Sequence, residues 1–146
     1  MQATILLLDD EPDITSIMSV GLKSAGFAVD AFNDPIEALS HFEAVALATL
    51  GGAASRPKAY DLVISDIRMA GMSGFDFARK VNAIDSKVRI MLVTAYEVKK
   101  EEFDKVIPSL RIDALINKPI SMTRLNDLVS ALLISKEEPA KKVFSI

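Results

Sequence analysis

Five polar residues each follow a short apolar run. Asp9 and Asp10 come after Leu6-Leu7-Leu8, Asp66 after Leu62-Val63-Ile64-Ser65, Thr94 after Ile90-Met91-Leu92-Val93, and Lys118 after Leu115-Ile116-Asn117. Three carboxylates brought to one place repel and raise one another's pKa unless a cation lies among them. An all-oxygen donor set with room for water suits a hard cation, Mg2+ above the softer metals. One carboxylate of such a set can also attack phosphorus and carry the phosphoryl group as an acyl phosphate. A hydroxyl and a lysine ammonium beside it would then hold the phosphoryl oxygens, because phosphoryl transfer depends chiefly on positioning and charge. Singly these residues are ordinary, since paired aspartates after a strand usually form a solvated turn. Their weight comes from recurring at strand ends of one alternating pattern.

That pattern is legible along the chain. Thr4 to Leu8 is too short for a helix and closes at Asp9-Asp10-Glu11-Pro12, which reads as a strand buried on both faces. Ile14, Ile17, Met18, Leu22 and Ala25 recur at helical spacing up to Gly26. Ala28 to Phe32 reads as a second strand. Asn33-Asp34-Pro35-Ile36-Glu37 then starts a helix, with Asp34 as cap, Pro35 in the first position and Glu37 completing a capping box. This helix carries Leu39 and Phe42 and fades near Leu50-Gly51-Gly52. Further strands are expected at Leu62–Ser65, Val88–Val93 and Ala114–Ile116. Helices are expected after Ser73, around Phe103 to Ile107, and after Ser121. Five strands alternating with five helices predict an α/β fold: a doubly wound (βα)5 parallel sheet with helices on both faces. In such a sheet the carboxyl ends of the strands share one edge, where ligands bind beside the topological switch point.

The 146 residues, 50% hydrophobic and 25% charged, fit one domain with a sizeable core. A formal charge of −3 leaves no basic excess for phosphate backbones, so direct nucleic-acid binding is not expected. With no cysteine, disulfide, thiolate and zinc-finger chemistry are excluded. The longest uncharged run, Ala44 to Ser55, is too short to span a bilayer, and the N-terminus meets Asp9 too soon for a signal peptide. The expectation is a soluble, cytoplasmic domain over residues 1–135, followed by a frayed tail or linker stub at 136–146.

From about Ala3 to Leu133 the chain resembles the receiver domains of two-component response regulators, with a flavodoxin-like fold. The resemblance rests on Leu6-Leu7-Leu8-Asp9-Asp10-Glu11-Pro12, Asp66-Ile67-Arg68-Met69-Ala70-Gly71-Met72-Ser73-Gly74, Val93-Thr94-Ala95 and Lys118-Pro119. It implies that Asp66 accepts a phosphoryl group from a phosphohistidine of a sensor kinase or phosphotransfer protein. Asp10, Asp66 and the backbone carbonyl of Arg68 would bind Mg2+ directly, and Asp9 mostly through water. Thr94 and Lys118 would contact the phosphoryl oxygens, and the Lys118–Pro119 peptide would be cis. The signal would pass by conformational change, around the fourth expected helix and the fifth strand, to a downstream protein or an output domain. Homodimerisation on phosphorylation is permitted but not required.

Some positions depart from the family pattern. Leu115 stands where an aromatic switch residue is usual, and reads as a core leucine. Ala70 replaces a common proline. The stretch from Asp10 to Asp66 is longer than usual, with the surplus at about 44–58, where Gly51-Gly52 and Pro57 favour a loop after the second helix. Partner binding through Leu47 and Leu50 is a lesser reading of that insertion. His41, the single histidine, reads as a surface or boundary residue rather than a relay histidine, and Lys99 to Glu102 as a solvated helix face. Two rivals remain open at this point. An aspartyl-phosphate hydrolase would need an acidic general acid two places after the nucleophile, where Arg68 stands. A pseudo-receiver would be expected to show damaged acidic or lysine positions, and here all are intact.

In receivers, water approaches the phosphorus past the side chains two positions after the phosphoacceptor and two after the hydroxyl, here Arg68 and Tyr96. Both are large, and neither is a general base in its ordinary state. Shielding of the in-line path predicts a long-lived phospho-Asp66, with the Arg68 cation as a weaker competing influence. Tyr96→Ala is expected to speed phosphate loss, followed by phosphoprotein decay. An unchanged rate would remove steric shielding as the cause.

Overall fold

The computed structural model describes residues 2–50, 60–95, 101, 105, 110–134 and 142–144. Its elements are β1 (Thr4–Leu8), α1 (Pro12–Ser24), β2 (Ala28–Phe32), α2 (Pro35–Leu50), β3 (Leu62–Asp66), α3 (Gly74–Ile84), β4 (Arg89–Thr94), β5 (Ala114–Asn117), α4 (Met122–Ile134) and β6 (Lys142–Phe144). The strands form one sheet in the order β2-β1-β3-β4-β5-β6, every pair parallel. The expected doubly wound α/β architecture is therefore present. The chain steps from β1 outward to β2 and then returns past β1 to β3. This reversal puts the switch point between β1 and β3.

The apolar runs are continuous because both sheet faces are covered. Leu6, Val63 and Leu92 pack with Ala38 and Phe42 of α2 and Phe77 of α3. The alternate residues Ile5, Leu7 and Ile64 pack with Met18 and Leu22 of α1 and Leu125 of α4. All of β3 is buried, whereas the edge strand β2 buries only Val29 fully. Leu115 is buried among the residues on the α2–α3 side, consistent with a core leucine.

Local signals set the helix starts. Ser73 Oγ accepts from Asp76 N at 3.1 Å and Ser121 Oγ from Arg124 N at 3.1 Å. Asp34 Oδ1 accepts from Ile36 N at 3.2 Å ahead of Pro35. Each satisfies a backbone donor that the first helical turn leaves without a partner. His41 is exposed on α2, its ring 5.1 Å from Phe32 and 6.3 Å from Tyr60. Tyr60 is buried, stacks on Phe42 at 5.9 Å, and donates its hydroxyl to Asp30 Oδ2 at 2.6 Å. Burial first, and then the bond to Asp30, push the phenol well above its ordinary pKa, so it stays a neutral donor.

The sheet exceeds the sequence expectation at one edge. Residues 136–146 read as a frayed tail, but Lys142–Phe144 pair with Ala114–Ile116 of β5 as a sixth parallel strand. Three residues beside charged positions and Pro139 carry no periodicity from which a strand could be read. Of the helix expected around Phe103 to Ile107, only Glu101 and Lys105 are described, both helical and exposed. The loop part of the expected insertion, 51–59, lies outside the described residues, and so does Tyr96. Leu47 is 69% exposed on α2. No helix among the described residues is long and apolar enough to cross a membrane.

Phe42 is fully buried where α2 meets the sheet. Phe42→Ala is expected to cost about 3–5 kcal/mol in urea unfolding.

Candidate functional site

Strand register gathers the five residues selected above. Leu8 pairs with Ser65, so Asp9 and Asp66 follow side by side. Asp66 pairs with Val93, and Thr94 pairs with Asn117, just before Lys118. One carboxylate oxygen from each of Asp9, Asp10 and Asp66 lies within 4.8 Å of the other two. Asp9, Asp66 and Thr94 are buried and Asp10 is exposed. Lys118 Nζ donates to Asp9 Oδ2 at 2.6 Å and lies 3.7 Å from Asp66 Oδ2. The Lys118 backbone N–H donates to the Thr94 carbonyl at 2.6 Å, and the Lys118–Pro119 peptide is cis.

The turn after β3 is shaped by close approach. The Gly74 N–H donates to the Ile67 carbonyl at 2.7 Å, which seats the start of α3 against the Asp66–Ile67 backbone. A Cβ at Gly74 would collide with the Asp66 carbonyl and lie 2.7 Å from Ile67 Cα, so no side chain fits. Gly71 meets the turn's need for a positive φ, 87°. Within this frame Asp66 Oδ1 accepts the Ile67 N–H at 2.8 Å. Arg68 is exposed, and with Asp10, Met69, Ala70, Ser73 and Phe75 it borders an open cavity of about 490 Å³. One side of the carboxylate cluster is therefore reachable by water.

Burial raises the Asp66 pKa; Lys118 pulls it down, and Asp9, the Ile67 N–H and Asp10 contribute less, leaving it above the ordinary aspartate value. Burial alone would lower Lys118. The hydrogen bond to Asp9, with the charges of Asp66, Asp9 and Glu11, outweighs burial, so the ammonium holds its proton more firmly than usual. Two buried carboxylates and one exposed carboxylate, open to water on one side, match the donor chemistry of a hydrated Mg2+.

One contributor was not visible as such in the sequence. In sequence, Asn33 is the lead-in to a helix start at Asp34-Pro35. Its side-chain amide donates to the Asp9 carbonyl at 2.8 Å and to Thr15 Oγ1 at 2.9 Å. The strand-end rule that selected the other five residues would also have selected it, because it is the first residue past β2.

The family model for the response regulator receiver domain matches residues 5–130. The chain is 29% identical, over its whole length and 57% of the relative, to the DNA-binding response regulator MtrA of Mycolicibacterium smegmatis. It is 26% identical to the sporulation initiation phosphotransferase F of Bacillus subtilis, over 91% of this chain and 95% of that one. Against the CpxR homolog of Haemophilus influenzae and PhoP of Bacillus subtilis it spans only 55% and 51% of their lengths. The fold superimposes on a CheY-like receiver domain protein of Methanospirillum hungatei with a TM-score of 0.76 at 21% identity, covering 91% of this chain and 94% of that one. It superimposes on the receiver domain of the histidine kinase CKI1 of Arabidopsis thaliana, complexed with Mg2+, with a TM-score of 0.77 at 19% identity, covering 89% and 91%.

A carboxyl whose folded pKa is raised supports the fold below its ordinary range and loses that contribution as pH climbs through the raised value. In metal-free buffer, Asp66→Asn is therefore expected to be more stable than the parent at pH 7, by about 1 kcal/mol. The gap should close as pH falls through the raised value and the parent carboxyl takes up its proton. Urea midpoints of the two chains across that range check both sign and window.

Proposed function

The chain belongs to the response regulator receiver domain family, and from that premise we propose that it is a phosphorylation-driven signalling switch with Asp66 as phosphoacceptor. The carrying observation is the packing of three carboxylate oxygens within 4.8 Å beside the Lys118 ammonium. The Ile67 N–H holds Asp66 Oδ1, which leaves Oδ2, on the Lys118 side, to attack phosphorus. The donor is a phosphohistidine of a sensor kinase or phosphotransfer protein. As the Asp66 O–P bond forms, the P–N bond breaks, and the imidazole leaves with the electron pair and takes up a proton. Lys118, firmly protonated, shifts from Asp9 toward the new phosphoryl oxygens, and Thr94 supplies a hydroxyl at the adjacent strand end.

Mg2+ fits the donor set, with Asp10, Asp66 and the Arg68 carbonyl as direct ligands and Asp9 acting through water. When bound, the ion neutralises charge on the carboxylates and the transferred group. The drawing in of Thr94 and Lys118 biases an equilibrium at the end of β4 and β5. A downstream protein or an attached output domain reads that change, with dimerisation as one available form. With Leu115 at the usual ring position, the signal passes through strand and backbone movement and not through a swinging aromatic. The cytoplasm, where sensor kinases present their phosphohistidines, is the fitting compartment.

Incubation with acetyl phosphate and Mg2+, followed by intact mass measurement, tests this reading. A single phosphoryl adduct is expected, abolished by Asp66→Asn and by EDTA. Continuous phosphate release without an adduct would indicate a hydrolase, and no adduct at all a pseudo-receiver. Asp10→Asn is expected to weaken Mg2+ affinity by about tenfold or more.

A further inference from the structure

The side chains that hold the metal-binding turn differ from those that would touch the metal. Asp9 and Asp10 lie on the stretch between β1 and α1, and the start of that stretch and the first turn of α1 beyond it are tied to one side chain. Asn33 Nδ2 reaches the Asp9 carbonyl at 2.8 Å and Thr15 Oγ1 at 2.9 Å, so both its amide hydrogens are used. Thr15, buried in the first turn of α1, spends its own hydroxyl hydrogen on the Pro12 carbonyl at 3.0 Å and can only accept from Asn33. A further bond, from Asp9 N to the Phe32 carbonyl at 3.2 Å, ties the same stretch to the end of β2.

We propose that Asn33 is a positioning residue for the divalent-cation site, acting through the backbone that carries Asp9 and Asp10. The inference rests on the reading that these carboxylates hold Mg2+. Asp9 has further anchors for its carboxylate in Glu11 N and Lys118 Nζ. Asp10 is exposed, and the backbone on either side of it sets where its carboxylate stands. Mg2+ demands near-ideal octahedral geometry with ligands at about 2.0–2.1 Å, so a displacement of a few tenths of an ångström in that backbone is felt as lost affinity. Groups that orient ligands without touching the metal commonly matter by about 10- to 100-fold in affinity. Asn suits this position because its amide offers two donors to two acceptors without adding a fourth negative charge to the cluster.

The test is calorimetric titration of the full chain with MgCl2, for the parent, Asn33→Ala, Thr15→Val and Asp10→Asn, alongside urea unfolding in EDTA. Asn33→Ala is expected to keep the parent's far-UV circular dichroism and to bind Mg2+ about tenfold more weakly. Thr15→Val removes one of the two acceptors while keeping the bond to Asp9. It is expected to lose about two- to threefold, and it decides the matter should Asn33→Ala fail to fold. A lowered urea midpoint for Asn33→Ala with parental Mg2+ affinity would reduce Asn33 to a staple of the fold and overturn the proposal. If the parent binds no Mg2+, or Asp10→Asn binds as tightly as the parent, the metal reading fails and takes this inference with it.

Discussion

Three carboxylates within 4.8 Å of one another, two of them buried, are held together in a folded protein by the ammonium of Lys118. Like charges at that distance, partly screened from water, resist assembly. The fold offsets this with one cation, one backbone N–H on Asp66 and one on Asp9. Other features of the site serve that compromise. The register that sets Asp9 beside Asp66 also fixes where Lys118 enters, and Lys118 is itself tethered to β4 through the Thr94 carbonyl. Burial, only partly offset by Lys118, leaves Asp66 above its ordinary pKa.

This explains why an ordinary-looking sheet carries its chemistry at one edge. The core has no polar work to do: Leu6, Leu8 and Phe42 on one face and Ile5, Leu7 and Leu22 on the other are fully or almost fully buried and apolar. Among the buried polar residues, Asp9, Asp66 and Thr94 lie where strands run out. Asp9 and Lys118, 109 positions apart and so about 360–390 Å apart in a fully extended chain, come within 2.6 Å of each other here.

Much of this was legible from the sequence because burial on both sheet faces leaves β1, β3 and β4 as unbroken apolar runs, each stopped by a polar residue. Pro35, Ser73 and Ser121 marked helix starts through backbone chemistry that needs no tertiary context. What escaped detection depended on long-range pairing. Lys142–Phe144 becomes a strand only because β5 offers an edge. Asn33 matters only through contacts with Asp9 and Thr15, both about two dozen positions or fewer away in sequence but on another element. Its place just past β2 marks it in sequence as a strand-end residue, but an amide before Asp-Pro also looks like any helix lead-in.

The seat of Gly74 against the Asp66–Ile67 backbone gives the site one stiff wall. With no side chain between them and a 2.7 Å hydrogen bond fastening them, the start of α3 and the end of β3 are in direct backbone contact. The opposite side is made of the paired ends of β4 and β5, which carry Thr94 and Lys118 and are joined by the Lys118 N–H to Thr94 carbonyl bond. Any movement of the Asp66 backbone toward α3 therefore has to carry the start of that helix with it.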